Sequence, residues 1–349
     1  MRYFHTTALL LTLLLIAGCS SKEVFTPEEP ESGVKISGYI DEKIIDTTSD
    51  GAVLESGALL DGNGVVPIVI PDDYRYIGQS DGWAVSGKIS GELLLQSIAE
   101  DRNETFELKK TVAAATVKGD IVAVLFASNE MALYSLSQKS LLFKERANKP
   151  VAVDNRIMNP YFLNELVLFL TLDGKVVIVN SETKQMLRSM MVGSDDMVNN
   201  IIYFNVIEDR VMAATSGQIY TFSGKEIRES YDLRDMVFDK DGVWIATKQG
   251  EVIALSPTLE VKAKKKFPFA HFLAMIATDK KLYLLEKAGY LIVIDKSFDA
   301  VKVQRVEMED GFVFTAGKRF YFAVSPHDDE FGLTYSHKFS DKTAYIDIE

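Results

Sequence analysis

The sequence predicts an all-β protein folded as a β-propeller of eight blades with four antiparallel strands each. Apolar and polar residues alternate through most of the chain, and this period of two is typical of strands. Tight turns, most of which carry glycine, interrupt the alternation where hairpins are expected. The same hairpin unit recurs about every 40 residues, which is the length of one propeller blade.

The repeating unit begins with a β-branched or aromatic strand, turns at a glycine and continues as a second alternating strand. A polar turn then leads to a last strand rich in lysine. No helical periodicity interrupts the series. The turn in the middle of each hairpin marks its unit, and these markers are Gly51, Gly91, Asn129, Gly174, Gly217, Gly250, Gly289 and Gly332.

The first unit, residues 34–75, and the last, residues 312–349, are the least regular. Irregular ends are expected where strands from both termini close a ring. Seven blades remain the alternative if residues 36–60 only complete the last blade. A β-solenoid is disfavoured because its coils are shorter, about 20–30 residues. A stack of sandwiches would not repeat one hairpin at near-constant spacing.

Residues 1–18 have the features of a secretion signal. Arg2 supplies a positive start, residues 9–16 are mostly apolar, and small residues follow. The segment Ile16, Ala17, Gly18 and Cys19 resembles the bacterial lipobox. The resemblance implies cleavage before Cys19 and acylation of that cysteine by fatty acids such as palmitate. An ordinary secretory signal cut near Gly18 is the alternative.

The residue after the cysteine bears on the expected location. Ser20 stands where an Asp usually marks retention in the inner membrane. The lipobox resemblance therefore implies a lipoprotein of the bacterial outer membrane that faces the periplasm. Residues 19–33 then form a lipidated, flexible tether, because they are rich in Ser, Glu and Pro and poor in apolar residues. Residues 34–349 form the propeller domain.

Charge and cysteine content exclude several classes of function. The formal net charge is −12, and removal of residues 1–18 takes away one more positive charge. A chain this acidic does not attract nucleic acid by its overall charge. Cys19 is the only cysteine, so the fold holds no disulfide and offers no cysteine nucleophile. Apart from the lipid on Cys19, no cofactor is expected.

The units that begin at Gly174, Gly250 and Gly289 resemble the repeat of quinoprotein-type (PQQ-repeat) propellers. The BamB family of outer-membrane lipoproteins is built from this repeat. The resemblance implies an accessory role in the machine that inserts β-barrels into the outer membrane. The usual Thr-Gly-Lys turn and closing Trp of the repeat are absent from most units. Trp83 and Trp244 are instead expected on middle strands.

Candidate chemical sites are few. The run 327–330, His-Asp-Asp-Glu, has residue types that bind divalent cations, but a solvated acidic turn is the favoured interpretation. Asp195 and Asp196 are interpreted as turn residues. No Gly-Xaa-Ser-Xaa-Gly motif of a serine hydrolase occurs. We therefore predict no metal site, no catalytic residue and no enzymatic activity.

Two further segments have both a structural and a binding interpretation. Residues 262–266, Lys-Ala-Lys-Lys-Lys, are predicted to protect the edge of an outermost strand, with binding to phosphate groups or an acidic partner as the alternative. Residues 267–272, Phe-Pro-Phe-Ala-His-Phe, are predicted to pack in the core, with an exposed aromatic patch as the alternative. Residues 201–204, Ile-Ile-Tyr-Phe, occupy the equivalent place two units earlier.

These observations favour a non-catalytic scaffold that docks envelope proteins. Propellers present loops at both ends of the ring and strand edges at the rim, so partners bind by loop contact or strand addition. An enzyme or a propeller that binds a glycan or small ligand in its channel is the second hypothesis. A surface-displayed adhesin is the third. An apolar patch with a polar rim would favour the scaffold, and acidic groups converging on the channel mouth would favour the enzyme.

Overall fold

The computed structural model describes residues 23–194, 198–324 and 342–348. Its 32 strands form eight separate sheets of four antiparallel strands, and the described residues contain no helix. The predicted all-β class and the predicted number of strands per blade are confirmed. Gly332 and the run 327–330 lie outside the described residues.

Seven blades use four strands that are consecutive in the chain, with the first strand at the channel and the fourth at the rim. Blade one contains β2 (Ile44–Thr47), β3 (Ala52–Leu54), β4 (Ala58–Asp61) and β5 (Gly64–Val69); blade two contains β6 (Arg75–Ser80), β7 (Trp83–Gly87), β8 (Glu92–Ser97) and β9 (Asn103–Glu107). Blade three contains β10 (Val112–Lys118), β11 (Ile121–Phe126), β12 (Glu130–Ser135) and β13 (Leu141–Arg146); blade four contains β14 (Tyr161–Leu163), β15 (Leu166–Leu170), β16 (Lys175–Asn180) and β17 (Gln185–Met191).

The remaining four blades continue in the same way. Blade five contains β18 (Tyr203–Ile207), β19 (Arg210–Ala214), β20 (Gln218–Ser223) and β21 (Lys225–Ser230); blade six contains β22 (Leu233–Asp239), β23 (Gly242–Thr247), β24 (Glu251–Leu255) and β25 (Val261–Lys266). Blade seven contains β26 (Phe272–Ala277), β27 (Lys281–Glu286), β28 (Tyr290–Asp295) and β29 (Val301–Arg305); blade eight contains β30 (Phe314–Ala316), β31 (Arg319–Val324), β32 (Lys342–Asp347) and, at its rim, β1 (Gly38–Ile40).

The hydrophobic core is divided among the interfaces between neighbouring blades. Eight clusters of buried apolar residues occur, and each combines residues from two adjacent blades. One of them joins Phe314 and Tyr321 of blade eight to Ile44 and Leu60 of blade one. This last interface closes the ring at eight blades, so the seven-blade alternative is excluded.

Alternation along a strand explains why the middle strands are apolar on both faces. In β24, Val252 packs toward blade seven while its neighbour Ile253 packs toward blade five. Successive side chains of a strand point to opposite faces of the sheet, and in a propeller both faces are covered by other blades. Trp83 and Trp244 lie on the second strands of their blades, as predicted.

The ring closes through the N-terminal strand. β1 pairs antiparallel with β32, with Gly38 opposite Tyr345 and Ile40 opposite Thr343. Residues 36–60 therefore complete blade eight and also begin blade one. This arrangement confirms the prediction that strands from both termini pair where the ring closes.

Glycines hold the turn between the second and third strands. Gly91 and Gly250 have φ angles of 95° and 78°, and a Cβ there would lie 2.2 Å from Lys110 N and 2.4 Å from Phe267 O. Both the left-handed backbone and the close approach require glycine. The sequence markers in blades two to seven fall in this turn. In blade one the equivalent residue is Gly57, and Gly51 lies one turn earlier.

The described part of the predicted tether lies against the propeller. Residues 23–37, called the strap below, cross the outer side of blade seven. Phe25 is buried at the interface of blades six and seven, the Glu31 N–H donates to Val303 O at 2.9 Å, and the Val34 N–H donates to Arg305 O at 2.8 Å. The tether was predicted to be flexible over residues 19–33. This prediction is wrong for residues 23–33, which lie against the propeller. One apolar residue decides this difference, because Phe25 fills an aromatic gap between two blades.

The remaining N-terminal predictions lie outside the described residues. These are the signal at residues 1–18, the cleavage motif Ile16, Ala17 and Gly18, the acylated Cys19 and the sorting residue Ser20. Within the described ranges, no helix is long and apolar enough to cross a membrane.

Candidate protein-docking surface

The segment that joins blade three to blade four, residues 147–160, enters the central channel. Near its end the Asn159 side chain donates to Asp50 Oδ2 at 2.9 Å and to Ile77 O at 3.1 Å, and its oxygen accepts the Ala115 N–H at 3.1 Å. One amide therefore binds a turn of blade one and the inner strands of blades two and three. Gly78 makes room for it, because a Cβ there would lie 2.3 Å from Asn159 Nδ2.

The same segment also reaches the far side of the ring through Arg156. Its Nη1 donates to Arg234 O on blade six at 2.7 Å, while Nε and Nη2 bind Asp154 at 3.0 and 2.7 Å. Burial favours the protonated form of Asp154, but the hydrogen bonds from Arg156 outweigh burial and lower the pKa of this carboxyl. The guanidinium of Arg234 in turn donates to Phe272 O of blade seven at 2.7 Å.

Asp235 joins blades six and seven near this group. Its carboxylate accepts the N–H of Met236 at 2.8 Å and that of Met275 at 2.7 Å. Burial raises the pKa of Asp235 to about 6, although both hydrogen bonds act in the opposite direction. The charged form is therefore disfavoured in this half-buried position.

Acidic and basic side chains do converge on the channel, which is the pattern named above for an enzyme. All but one of the hydrogen bonds just described, however, end on a neighbouring blade or on the connecting segment itself; the exception, from Met236 to Asp235, stays within blade six. These groups hold blades together, and the segment 147–160 occupies space that a channel ligand would need. Among the described residues, no group of three or more His, Cys, Asp or Glu is arranged to hold a metal ion. The absence of catalysis and of a cofactor remains a prediction.

Exposed apolar side chains concentrate on blade four. Of the 16 large apolar side chains that are exposed within the described ranges, six belong to this blade or to the segment that leads into it. We call the three that lie on the rim strand β17 the blade-four surface: Met186, Leu187 and Met191. Val151, Val153 and Tyr161 lie nearer the channel, where Ala152 pairs with Val198 of the connection from blade four to blade five. Concentrated exposed apolar residues are typical of a protein-binding surface.

The rim strand of blade four lacks the protection that other rim strands have. Outer strands rich in charge or containing proline resist pairing with a foreign strand. β25 carries four lysines, β5 contains Pro67, and β29 is covered by the strap. β17, in contrast, has the sequence Gln-Met-Leu-Arg-Ser-Met-Met, and its one charge, Arg188, pairs with Glu226 at 2.8 Å. The edge of β17 is therefore suited to accept an extended apolar segment as far as Met191, whose carbonyl accepts hydrogen bonds from Arg228 of blade five.

The structure shows where the two segments with both a structural and a binding interpretation, residues 262–266 and 267–272, lie. Residues 262–266 lie on β25 at the rim of blade six, as the edge-protection hypothesis predicts. Phe267 and Phe272 are buried in the core, and so are Ile201 and Phe204. Phe269 departs from this pattern, with 53% of its surface exposed and a φ of 63°. Core packing is thus confirmed for Phe267, Ala270 and Phe272, while Pro268, Phe269 and His271 are exposed.

Comparison with known proteins adds two kinds of similarity. No family model matches the chain. The plasminogen-binding protein PgbB of Helicobacter pylori strain J99 is 25% identical, and the match covers 94% of this chain and 70% of the relative. The protein of the same name in strain 26695 is 24% identical with the same coverage.

Solved structures agree on the fold. BamB from Moraxella catarrhalis superposes with a TM-score of 0.66 at 17% identity, covering 89% of this chain and 99% of BamB. The WD40 domain of Sif2 has a TM-score of 0.60 at 10% identity, covering 90% of this chain and 98% of that domain. The computationally designed Ika8 protein has a TM-score of 0.58 at 13% identity, with 89% and 98% coverage. The chain thus has a BamB-like β-propeller fold, and its likeness to a binding protein supports a propeller that binds proteins.

Sequence reasoning missed the blade-four surface and the channel segment. The available signal for the surface was the run of three methionines and a leucine in residues 185–191, where five of the seven other rim strands carry lysine or glutamate. The channel segment had a signal in its length, since 14 residues separate β13 from β14 and far fewer separate most other blades.

Proposed function

We propose that this chain is a lipid-anchored envelope protein whose propeller docks other proteins at the blade-four surface. The observation that carries the proposal is the exposure of Met186, Leu187 and Met191 on β17, a rim strand whose single charge, Arg188, is paired with Glu226. The occupant is an extended segment of an envelope protein with alternating apolar side chains. Main-chain hydrogen bonds to β17 supply affinity, and Met186 and Leu187 supply apolar contact.

The finer assignment is assembly of outer-membrane proteins. It rests on the lipobox resemblance, on Ser20 and on the BamB-like fold. In this role the chain is a non-catalytic scaffold that faces the periplasm and is attached to the outer membrane through acyl chains on Cys19. Stable attachment takes more than one acyl chain, because one chain gives only reversible binding.

Anchoring is tested by the mass of the mature protein from its native membrane. A mature chain that begins at Cys19 and carries acyl chains is the expected result. The Cys19→Ser variant is expected to lose the acyl mass and to leave the membrane fraction. An unmodified mature N-terminus near residue 19 would contradict the lipoprotein assignment and favour an ordinary secretory signal.

Docking is tested by crosslinking in intact cells, capture of the tagged protein and mass spectrometry. We compare the wild type with the double variant Met186→Lys, Leu187→Lys. A control variant, Val65→Lys, Val69→Lys, changes two residues that are equally exposed on the rim strand of blade one. Loss of about tenfold in partner recovery for the blade-four variant alone is expected, since buried apolar anchors dominate interface energy. Recovery of the β-barrel insertion machine by the wild type would support the assembly role.

A second candidate function is binding of a host plasma protein, and the name of the H. pylori relatives favours it. The test measures binding of plasminogen to the purified, acylated chain in detergent. Saturable binding that the blade-four variant loses would assign this function to the same surface. If plasminogen binds to wild-type cell envelopes but not to the purified chain, this result would count against the second function.

A further inference from the structure

The strap fixes where the chain leaves the propeller for its N-terminus. The Phe25 ring makes edge-to-face contacts with Phe267 at 6.2 Å and Tyr290 at 5.6 Å between centroids. Phe267 makes the same kind of contact with Phe272 at 6.1 Å. Phe25 is thus held in an aromatic cluster between blades six and seven, and the residues before it start from that point on the rim.

Few residues separate this point from the proposed lipid. Cys19 stands six positions before Phe25. Six residues of fully extended chain span at most about 20 Å. With acylated Cys19 in the bilayer, the junction of blades six and seven stays next to the membrane surface. The body does not hang clear of the lipid as a tether of residues 19–33 would allow.

The rim strand beside this junction is strongly basic. β25 carries Lys262, Lys264, Lys265 and Lys266, and its Ala263 packs against the cluster that contains Phe25. Lys262 and Lys264 have exposed ion pairs with Glu260 at 3.5 Å and Glu251 at 3.6 Å. Such exposed pairs are weak, so they leave these lysines available to other anions. Lys265 has no ion pair with any described residue.

This basic strip contrasts with a chain whose formal net charge is −12. The exposed carboxylates of the strap, Glu28 and Glu29, follow Phe25 on the way to Glu31, which lies on blade seven. They therefore lead away from β25. Four lysines on one strand, next to the point where the chain turns toward the membrane, match the pattern of juxtamembrane basic segments that attract anionic lipid.

We propose that β25 is a membrane-facing strip that binds the phosphate groups of anionic lipids and sets the orientation of the propeller. This inference rests on the proposed acylation of Cys19. Blades six and seven then face the bilayer, while the blade-four surface, separated from them by blade five, stays accessible to partners. An acidic protein is the other partner that these lysines would attract, and the test distinguishes the two.

The experiment uses the acylated full chain reconstituted in vesicles. Since Cys19 is the only natural cysteine and its thiol is acylated, one introduced cysteine is labelled specifically. Val261→Cys places a fluorophore at the start of β25, and Asp101→Cys places it on blade two, across the ring. Quenching by spin-labelled lipid headgroups reports the distance of each label from the membrane, in vesicles with and without phosphatidylglycerol.

The expected result is strong quenching at position 261, weak quenching at position 101, and a smaller difference in the triple variant Lys264→Gln, Lys265→Gln, Lys266→Gln. The control variant Lys109→Gln, Lys118→Gln, Lys225→Gln removes the same charge from exposed sites on blades two, three and five and is expected to keep the full difference. Raised salt is expected to weaken it.

Equal quenching at both positions, or quenching that the β25 lysines do not affect, would overturn the proposal. If the β25 variant instead loses a captured acidic protein while its quenching is unchanged, the strip binds protein and not lipid. If the wild type does not float with vesicles at all, this result would contradict the proposed acylation of Cys19, on which the inference rests.

Discussion

Asn159 donates a hydrogen bond to Asp50, 109 residues earlier in the chain, at 2.9 Å. The same amide also binds Ile77 O of blade two and the Ala115 N–H of blade three. A propeller gains most of its stability from contacts between neighbours around the ring. One side chain that binds three successive blades adds to those contacts and limits the separation of the blades.

Gly78 is expected to be essential for this contact. A Cβ at Gly78 would lie 2.3 Å from Asn159 Nδ2 and 2.5 Å from Asp50 Oδ2, so Gly78→Ala forces the two side chains apart. We expect a loss of about 1–3 kcal/mol in the free energy of unfolding, measured by urea denaturation. Gly62→Ala is the control, since the nearest atom to a Cβ there is 3.6 Å away. Equal stability of the two variants would contradict the role of Asn159.

Phe25 is expected to hold the strap on the propeller. Phe25→Ala removes a buried ring from the aromatic cluster of blades six and seven, and we expect a cost of about 3 kcal/mol. Limited proteolysis should then cut within residues 26–36, which the wild type protects. Val24→Ala, at a side chain with 64% of its surface exposed, should change neither measurement. An uncut strap in the Phe25 variant would show that the backbone bonds of Glu31 and Val34 suffice.

Asp235 is expected to make the protein less stable as the pH rises. Its pKa in the folded state is raised to about 6, above the value of about 3.9 in the unfolded chain. Between about pH 4 and pH 6 the folded state therefore binds more protons than the unfolded chain. The free energy of unfolding falls by about 2 kcal/mol as the pH rises through this range. Asp235→Asn keeps an oxygen for the Met275 N–H and should lose this slope. Parallel stability–pH curves for wild type and variant would contradict the raised pKa.

Glu130 is expected to have the opposite dependence on pH. This buried carboxylate lies 2.8 Å from Lys110 Nζ, 3.1 Å from Lys144 Nζ and 3.1 Å from Arg146 Nε. Burial favours its neutral form, but hydrogen bonds from the three cations outweigh burial and lower its pKa to about 2. Its stabilisation is complete above about pH 4.5 and is lost as the pH falls toward 2.

The variant Glu130→Gln should accordingly lose about 2–3 kcal/mol near neutral pH, measured by urea denaturation. The difference from wild type should shrink as the medium is acidified. Glu145→Gln, at an exposed neighbour on β13, is expected to change stability by less than about 0.5 kcal/mol. A difference for Glu130→Gln that stays constant with pH would indicate a packing effect and not the ionised carboxylate.

Much of the fold follows from local sequence. The glycine at position 250 predicts a hairpin turn. The successive apolar residues Val252 and Ile253, which point to opposite faces of a strand, predict that both faces of the hairpin are buried. The spacing of such hairpins is enough to predict the ring. The marker at Gly51 was misplaced by one turn, because the strands of blade one are short and two glycine turns, at Gly51 and Gly57, lie close together.

The candidate surfaces follow less directly, since they depend on how distant segments meet. The composition of residues 20–33 predicts disorder, yet Phe25 is buried because blades six and seven leave an aromatic gap for it. Likewise, nothing near Asn159 in the chain indicates that its amide binds Asp50. The sequence of β17 does not distinguish the exposed Met186, Leu187 and Met191 from the buried Met190, so the exposed surface becomes evident only once β17 is placed at the rim.

Photocrosslinking in living cells tests the central claim, that partners dock on blade four, most directly. A photoreactive amino acid replaces Leu187 in one strain and Val69 in another, because these side chains are 55% and 56% exposed on rim strands three blades apart. We expect a discrete crosslinked envelope protein at position 187 and none at position 69. The same crosslinks at both positions, or a partner only at position 69, would contradict it.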